Sequence, residues 1–220
     1  SKNHRTIERF LSEGKIVPST PILTNLDKYD RKPLSACSCP PLDLSGDFAK
    51  LKKTVQQYHL DGMGTSFCLD DTDKPVEVLL ALNDIAVEDL RNPHQHRPVG
   101  NMATLHIGHK DIMPLIECKL TNSEVDWKFN IAISVPDKFM RALSSDEKYV
   151  LDDGTEIDAA FIFDHIAQVS RDVSDPGLIF IDNLNRRNPL KEKVTYRTVA
   201  PCAELGLGPG ETCIFSSVNI

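Results

Sequence analysis

The run Leu178-Ile179-Phe180-Ile181, entered through Asp175-Pro176-Gly177 and free of polar side chains, constrains this chain more than any other short segment. A strand with one solvated face alternates apolar and polar residues, so an unbroken apolar run predicts a strand buried on both faces. Such strands belong to parallel sheets covered by helices. The rest of the chain fits that picture. Ile7, Phe10 and Leu11 predict a first helix ending near Gly14, and Phe48, Leu51, Val55 and Tyr58 a second that stops at Gly62 and Gly64. A strand at residues 65–69 precedes a helix at 76–90, with Pro75 where a missing N–H costs nothing. After a loop rich in Asn, Pro and His come a strand at 102–107, a short helix at 110–119, a strand at 129–135 and a helix opening at 136–143. Asp153-Gly154 centres a hairpin at 149–157, and Phe161, Ile162, Ile166 and Val169 mark the helix before the apolar run. Residues 212–220 read as a final strand whose edge would need a cover. Strands alternating with helices predict an α/β fold with a mostly parallel sheet, a single domain over residues 1–220 with an N-terminal helix within 1–14.

Charge narrows the function classes. With 25 Lys plus Arg against 32 Asp plus Glu, the net charge is -7, and no basic block interleaves with aromatics. A protein that binds nucleic acid without regard to sequence needs a positive surface, so no DNA or RNA partner is expected. No apolar run approaches the roughly 20 residues that cross a bilayer, and the opening Ser-Lys-Asn-His-Arg is not an apolar signal core. The expectation is a soluble cytoplasmic protein with no membrane partner.

Six cysteines, Cys37, Cys39, Cys68, Cys118, Cys202 and Cys213, are too few to build a disulfide scaffold of this length. Cys202 stands in Ala200-Pro201-Cys202-Ala203-Glu204, where thiol and carboxylate two residues apart in an extended loop can face one substrate. Cys213 opens an apolar stretch and Cys37 closes Leu34-Ser35-Ala36-Cys37. Spacing alone leaves their roles open. His94-x-His96, His106-x-x-His109 and Cys37-x-Cys39 match no zinc-finger spacing, so the histidines read as exposed loop residues and no metal site is expected. Gly206-x-Gly208-x-Gly210 precedes Glu211 and a strand rather than a helix, which makes it a simple loop. The run Asp70-Asp71-Thr72-Asp73 reads as a solvated loop, and Cys39, Cys68 and Cys118 as structural.

Five stretches in order resemble the catalytic subunit of ribonucleotide reductase, most closely its class II, adenosylcobalamin-dependent type. They are Pro18-Ser19-Thr20-Pro21-Ile22-Leu23-Thr24-Asn25; Leu34-Ser35-Ala36-Cys37; Gly100-Asn101-Met102 with His109-Lys110-Asp111-Ile112; Lys128-Phe129-Asn130-Ile131 with Asp137-Lys138-Phe139-Met140; and the stretch from Asp175-Pro176-Gly177 to Pro201-Cys202-Ala203-Glu204 and Cys213. The resemblance implies half of that family's α/β barrel, with a central finger loop. Cys202 matches the finger-tip cysteine whose thiyl radical removes the ribose 3′ hydrogen, and Glu204 the carboxylate that takes the 3′-hydroxyl proton. Cys37 and Cys213 match the dithiol that supplies two electrons as the 2′-hydroxyl leaves as water, closing to a disulfide. Ser19, Thr20, Ala36 and Ala200 fall at substrate-binding positions.

The implied cofactor is adenosylcobalamin, bound jointly with a partner chain. The implied partners are a nucleotide substrate, a thioredoxin-like reductant and a second protein chain supplying the other barrel half. Two departures bear on function. Ala200 stands where the family usually has a substrate-orienting Asn, and the effector-binding loop is replaced by the acidic stretch and the helix at 76–90. Two readings follow: a subunit of a split radical oxidoreductase acting on a ribonucleotide or related nucleoside metabolite, or a non-catalytic partner that keeps the fold and binds another reductase chain.

Overall fold

Carboxylate caps and prolines set several helix starts, and short segments between the helices form the strands. The computed structural model describes residues 2–28, 32–95 and 97–219. In chain order come α1 (Lys2–Ser12), β1 (Ile16–Pro18), α2 (Thr20–Asn25), β2 (Cys37–Ser38), α3 (Phe48–Leu60), β3 (Gly64–Cys68), α4 (Pro75–Leu90), β4 (Asn101–His106), α5 (Ile112–Thr121) and β5 (Phe129–Val135). They are followed by α6 (Asp137–Ser144), β6 (Lys148–Val150), β7 (Glu156–Asp158), α7 (Ala159–Val173), β8 (Gly177–Phe180), α8 (Ile181–Arg186), β9 (Thr198–Val199), β10 (Gly206–Leu207), β11 (Thr212–Cys213) and β12 (Ser216–Val218). Asp47 caps α3 and Asp158 caps α7, each carboxylate accepting from two backbone N–H groups of the first turn. Pro75 opens α4 as expected.

Six strands form the main sheet in the order β11-β2-β3-β4-β5-β8. All neighbours are parallel except β11, which runs antiparallel to β2. The α/β class and the mostly parallel sheet are therefore as the sequence predicts. The two faces differ in chemistry. Phe67, Ala103, Leu105, Phe129, Ile131, Ile133 and Val135 join the large core under α3, α4, α5, α6 and α7. The opposite face carries smaller or more polar residues in register, among them Cys37, Ser66, Met102, Thr104, Asn130 and Ala132. That composition leaves room for a loop to lie across it.

A polar network sits where α3 and α4 meet the starts of β3 and β4. His59 Nδ1 lies 2.6 Å from Asp89 Oδ2, and Nε2 lies 3.1 Å from Asn101 Oδ1. Asn101 Oδ1 also accepts from Thr65 N (3.1 Å) and Thr65 Oγ1 (2.8 Å), while its Nδ2 donates to Lys128 O (3.2 Å). The Thr65 backbone donor fixes which way the Asn101 amide faces. Four elements are tied together by these side chains.

Several sequence expectations are corrected. β8 is an edge strand, not one buried on both faces: among the described residues only β5 pairs with it, Ile179 is buried, and Phe180 is 47% exposed. Leu178 packs partly on the large core and Ile179 on the opposite face, but Gly177 and Phe180 are exposed, and among the described residues no strand pairs with its outer edge. The expected single strand at 212–220 is two strands, because β12 leaves the main sheet to pair with β1; Ile220 lies outside the described residues. The histidines are not all exposed. His109 is buried, Nε2 bonded to Thr72 O and Nδ1 accepting from Asp111 N, which satisfies both ring nitrogens without a metal. His106 ends β4 and accepts from Gly108 N, His94 is exposed, and His96 lies outside the described residues. The acidic run is not simply solvated, since Asp70 accepts from His106 N and Asp71 pairs with Arg197. Gly206 falls in β10 rather than a loop. No helix among the described residues is long and apolar enough to cross a membrane.

Candidate active site

Antiparallel pairing of β2 with β11 sets Cys37 directly opposite Cys213. Opposed residues in such a pair hold their Cβ atoms about 4.5–5.5 Å apart, a small shift from the roughly 3.5–4.5 Å of a disulfide. Glu204 reaches the same point from another element. The two Sγ atoms and a Glu204 carboxylate oxygen all lie within 4.8 Å of one another. The Cys213 thiol donates to Glu204 Oε1 at 3.6 Å, and the Cys37 thiol lies beside both. The three groups thus form one compact cluster in which a buried pair of thiols meets an exposed carboxylate.

Burial pushes the Cys37 thiol far above the usual thiol range, and the neighbouring Cys213 and Glu204 push it further. Cys213 is raised too, chiefly by burial; the bond from Cys37 opposes this and Glu204 adds to it. At neutral pH both groups are thiols, poor nucleophiles but competent donors of hydrogen. A metal could be held by the same three residues only with both cysteines as thiolates, and burial disfavours that state.

Cys202 is carried by a finger. β9 and β10 form a short antiparallel hairpin, closed by Ala200 N bonding to Leu205 O (2.9 Å) and tightened by Ala203 N bonding to Ala200 O (2.7 Å). Pro201 and Cys202 are the central residues of that turn, a position where proline's fixed φ is an advantage. Ala203 follows at a φ of 60, in the left-handed region, and Cys202 is exposed at the tip. β9 lies against β3 and β4 on the small-residue face. There Thr104 Oγ1 donates to Arg197 O (3.3 Å) and Asn130 Nδ2 to Pro201 O (2.9 Å). A Cβ at Gly100 would stand 3.4 Å from Pro201 Cβ; one at Gly64 would stand 3.2 Å from Pro201 Cγ and collide with the Gly100 carbonyl oxygen.

The other candidates are placed as follows. Ser19 is buried, its N–H donates to Phe215 O just past Cys213, and its Oγ has no protein partner. Thr20 is exposed at the start of α2. Ala36 is buried beside Cys37, its carbonyl accepting from Gly64 N (2.9 Å) and from Arg97 Nη1 (3.5 Å). Ala200 is fully buried in an apolar cluster with Cys37, Cys39, Leu207 and Cys213, and its backbone groups are both used within the hairpin. Cys39 and Cys118 are buried and Cys68 half-buried. Sequence reasoning gave no part to Asn130 or Thr104. The one available signal was a polar residue interrupting an apolar strand, Phe129-Asn130-Ile131.

Comparison with known proteins places this geometry in context. A family model described as the ribonucleotide reductase barrel domain matches residues 70–220, a stretch holding Cys202, Glu204 and Cys213. The vitamin B12-dependent ribonucleoside-diphosphate reductase of Thermoplasma acidophilum is 30% identical over 234 aligned positions, covering 97% of this chain and 30% of that protein. The protein of the same name from Mycobacterium tuberculosis is 31% identical over 243 positions, covering 99% of this chain and 34% of its own length. The chain spans about a third of the length of these relatives.

Proposed function

The chain belongs to the ribonucleotide reductase family, and from that membership we propose that it carries the radical finger and redox dithiol of a class II reductase. The substrate is a ribonucleoside diphosphate, the class in the relatives' names. Cys202, as a thiyl radical, removes the ribose 3′ hydrogen and returns it at the end. Glu204 takes the 3′-hydroxyl proton. The 2′-hydroxyl leaves as water while Cys37 and Cys213 give up two hydrogens in all and close to a disulfide, which a thioredoxin-like protein reduces. The observation that carries this reading is the convergence of both thiols and Glu204 within 4.8 Å, with Glu204 two residues from an exposed Cys202.

Adenosylcobalamin is the proposed cofactor, after the B12 dependence in the relatives' names. The exposed thiol at the finger tip fits it, because a radical can reach Cys202 from outside while the reductant pair stays buried. When bound, the group supplies that radical, and Cys202 is the residue of this chain that would face it. Ser19, with a buried hydroxyl that no protein group satisfies, supports a phosphate contact ahead of α2. The open sheet is proposed as half of the family's barrel. Its β8 edge, which pairs on one side only among the described residues, is where further barrel strands would pair.

Replacing Cys202 with Ala tests the enzyme reading in the assembled reductase. Deoxynucleotide formation should vanish while nucleotide binding persists. Retained turnover would support the second reading, a non-catalytic partner, which rests on Ala200 offering no polar side chain to a ribose.

A further inference from the structure

Asn130 is the one polar side chain among the first three residues of β5, and nothing in the proposed chemistry employs it. Its neighbours Phe129 and Ile131 point into the core beneath the helices, which turns Asn130 to the face crossed by the finger. There its Nδ2 donates to the Pro201 carbonyl at 2.9 Å. That carbonyl belongs to the peptide bond leading into Cys202. A peptide unit is planar and rigid, so fixing the Pro201 oxygen also fixes the direction in which Cys202 leaves the plane. Only the φ and χ1 of Cys202 then remain to set its sulfur.

The hairpin could not fix this plane alone. Its ladder spans two residues on each side, and the described bonds of the turn itself are Ala200 N to Leu205 O and Ala203 N to Ala200 O, neither of which uses the Pro201 oxygen. On its ring side Pro201 rests against Gly64 and Gly100, positions where a Cβ would crowd it. Asn130 therefore supplies the polar half of a clamp whose apolar half is the Pro201 ring seated on two glycines. We propose that Asn130 is a positioning residue that aims the Cys202 thiol by holding the Pro201–Cys202 peptide plane; this rests on the reading of Cys202 as the radical carrier.

Asn130→Asp tests it, being isosteric but replacing the donor with an acceptor that repels the carbonyl. In the full chain, hydrogen exchange at the Ala200 and Ala203 amides, the donors of the turn, should quicken roughly five- to tenfold, the range for loss of one hydrogen bond, with exchange in α7 unchanged. In the assembled reductase, kcat should fall by about ten- to hundredfold while KM stays within about twofold, since misaiming a reacting atom affects the chemical step. Asn130→Gln keeps an amide donor and should recover part of the loss. The proposal is overturned by unchanged exchange at the tip, or by a wild-type kcat in Asn130→Asp. The underlying reading fails differently, by turnover in Cys202→Ala, whatever the exchange at the tip.

Discussion

Burial raises five of the six thiols: Cys39 to about 11, Cys68 and Cys118 to about 12, and Cys37 and Cys213 as well. For Cys37 and Cys213, this keeps hydrogen on sulfur at neutral pH. It also predicts selectivity: at neutral pH iodoacetamide should modify exposed Cys202 well before Cys37 or Cys213, and equal rates would contradict the burial. Cys118 has a second consequence. Unfolded, it loses its proton near the ordinary thiol value of about 8.5; folded, it keeps the proton to about 12. Between those values the folded state holds the extra proton, so stability is full at lower pH and falls as pH rises, by about 1.4 kcal/mol per unit for this thiol. Urea titrations from about pH 7.5 to 10.5 should show a shallower fall in Cys118→Ala than in the parent; parallel curves would remove the thiol from the account. His59 carries a larger energy. Removing it leaves Asp89 buried without its partner, and His59→Ala should cost about 3–5 kcal/mol in chemical denaturation. A loss below about 1 kcal/mol would mean the pair is not held as described. None of this network was legible beforehand, because His59, Asp89 and Asn101 meet only through packing of α3 and α4 on the sheet.

Elements were legible where local chemistry decides them. β5 falls on residues 129–135 as expected, because β-branched residues end at a proline. α4 begins at Pro75 and α7 follows its Asp158 cap. Where a distant strand decides, sequence pattern failed. The chain past Cys213 splits because β1, from the other end of the molecule, captures β12. The dithiol likewise exists only through the pairing of β2 with β11, so Cys37 and Cys213 were linked by resemblance and not by spacing. The finger depends on close approach at Gly64. Gly64→Ala would drive a Cβ into the Gly100 carbonyl and press on Pro201, so it should destabilise the fold by about 1–3 kcal/mol and quicken exchange at the finger tip. Wild-type stability and tip exchange together would show that the finger is not seated there.

Across the whole molecule the sheet separates two tasks. One face buries Phe129, Ile131, Ile133 and Val135 under helices and supplies stability; the other presents Thr104 and Asn130 to the finger and Cys37 to the site. The apolar run at β8, which predicts burial on both faces, is half covered in this chain, with Phe180 exposed. If the remaining barrel strands pair there, the outward amides of residues 177–180 should become protected from exchange on assembly; unchanged exchange would move the junction elsewhere. In the proposed function Cys37 and Cys213 reduce the substrate after Cys202 begins the reaction. The direct measurement is peptide mapping after a single turnover of the assembled reductase with a ribonucleoside diphosphate and adenosylcobalamin, without external reductant. The expected result is one Cys37–Cys213 disulfide for each deoxynucleotide formed and none in Cys202→Ala; product formed while both cysteines remain thiols would contradict the proposed function.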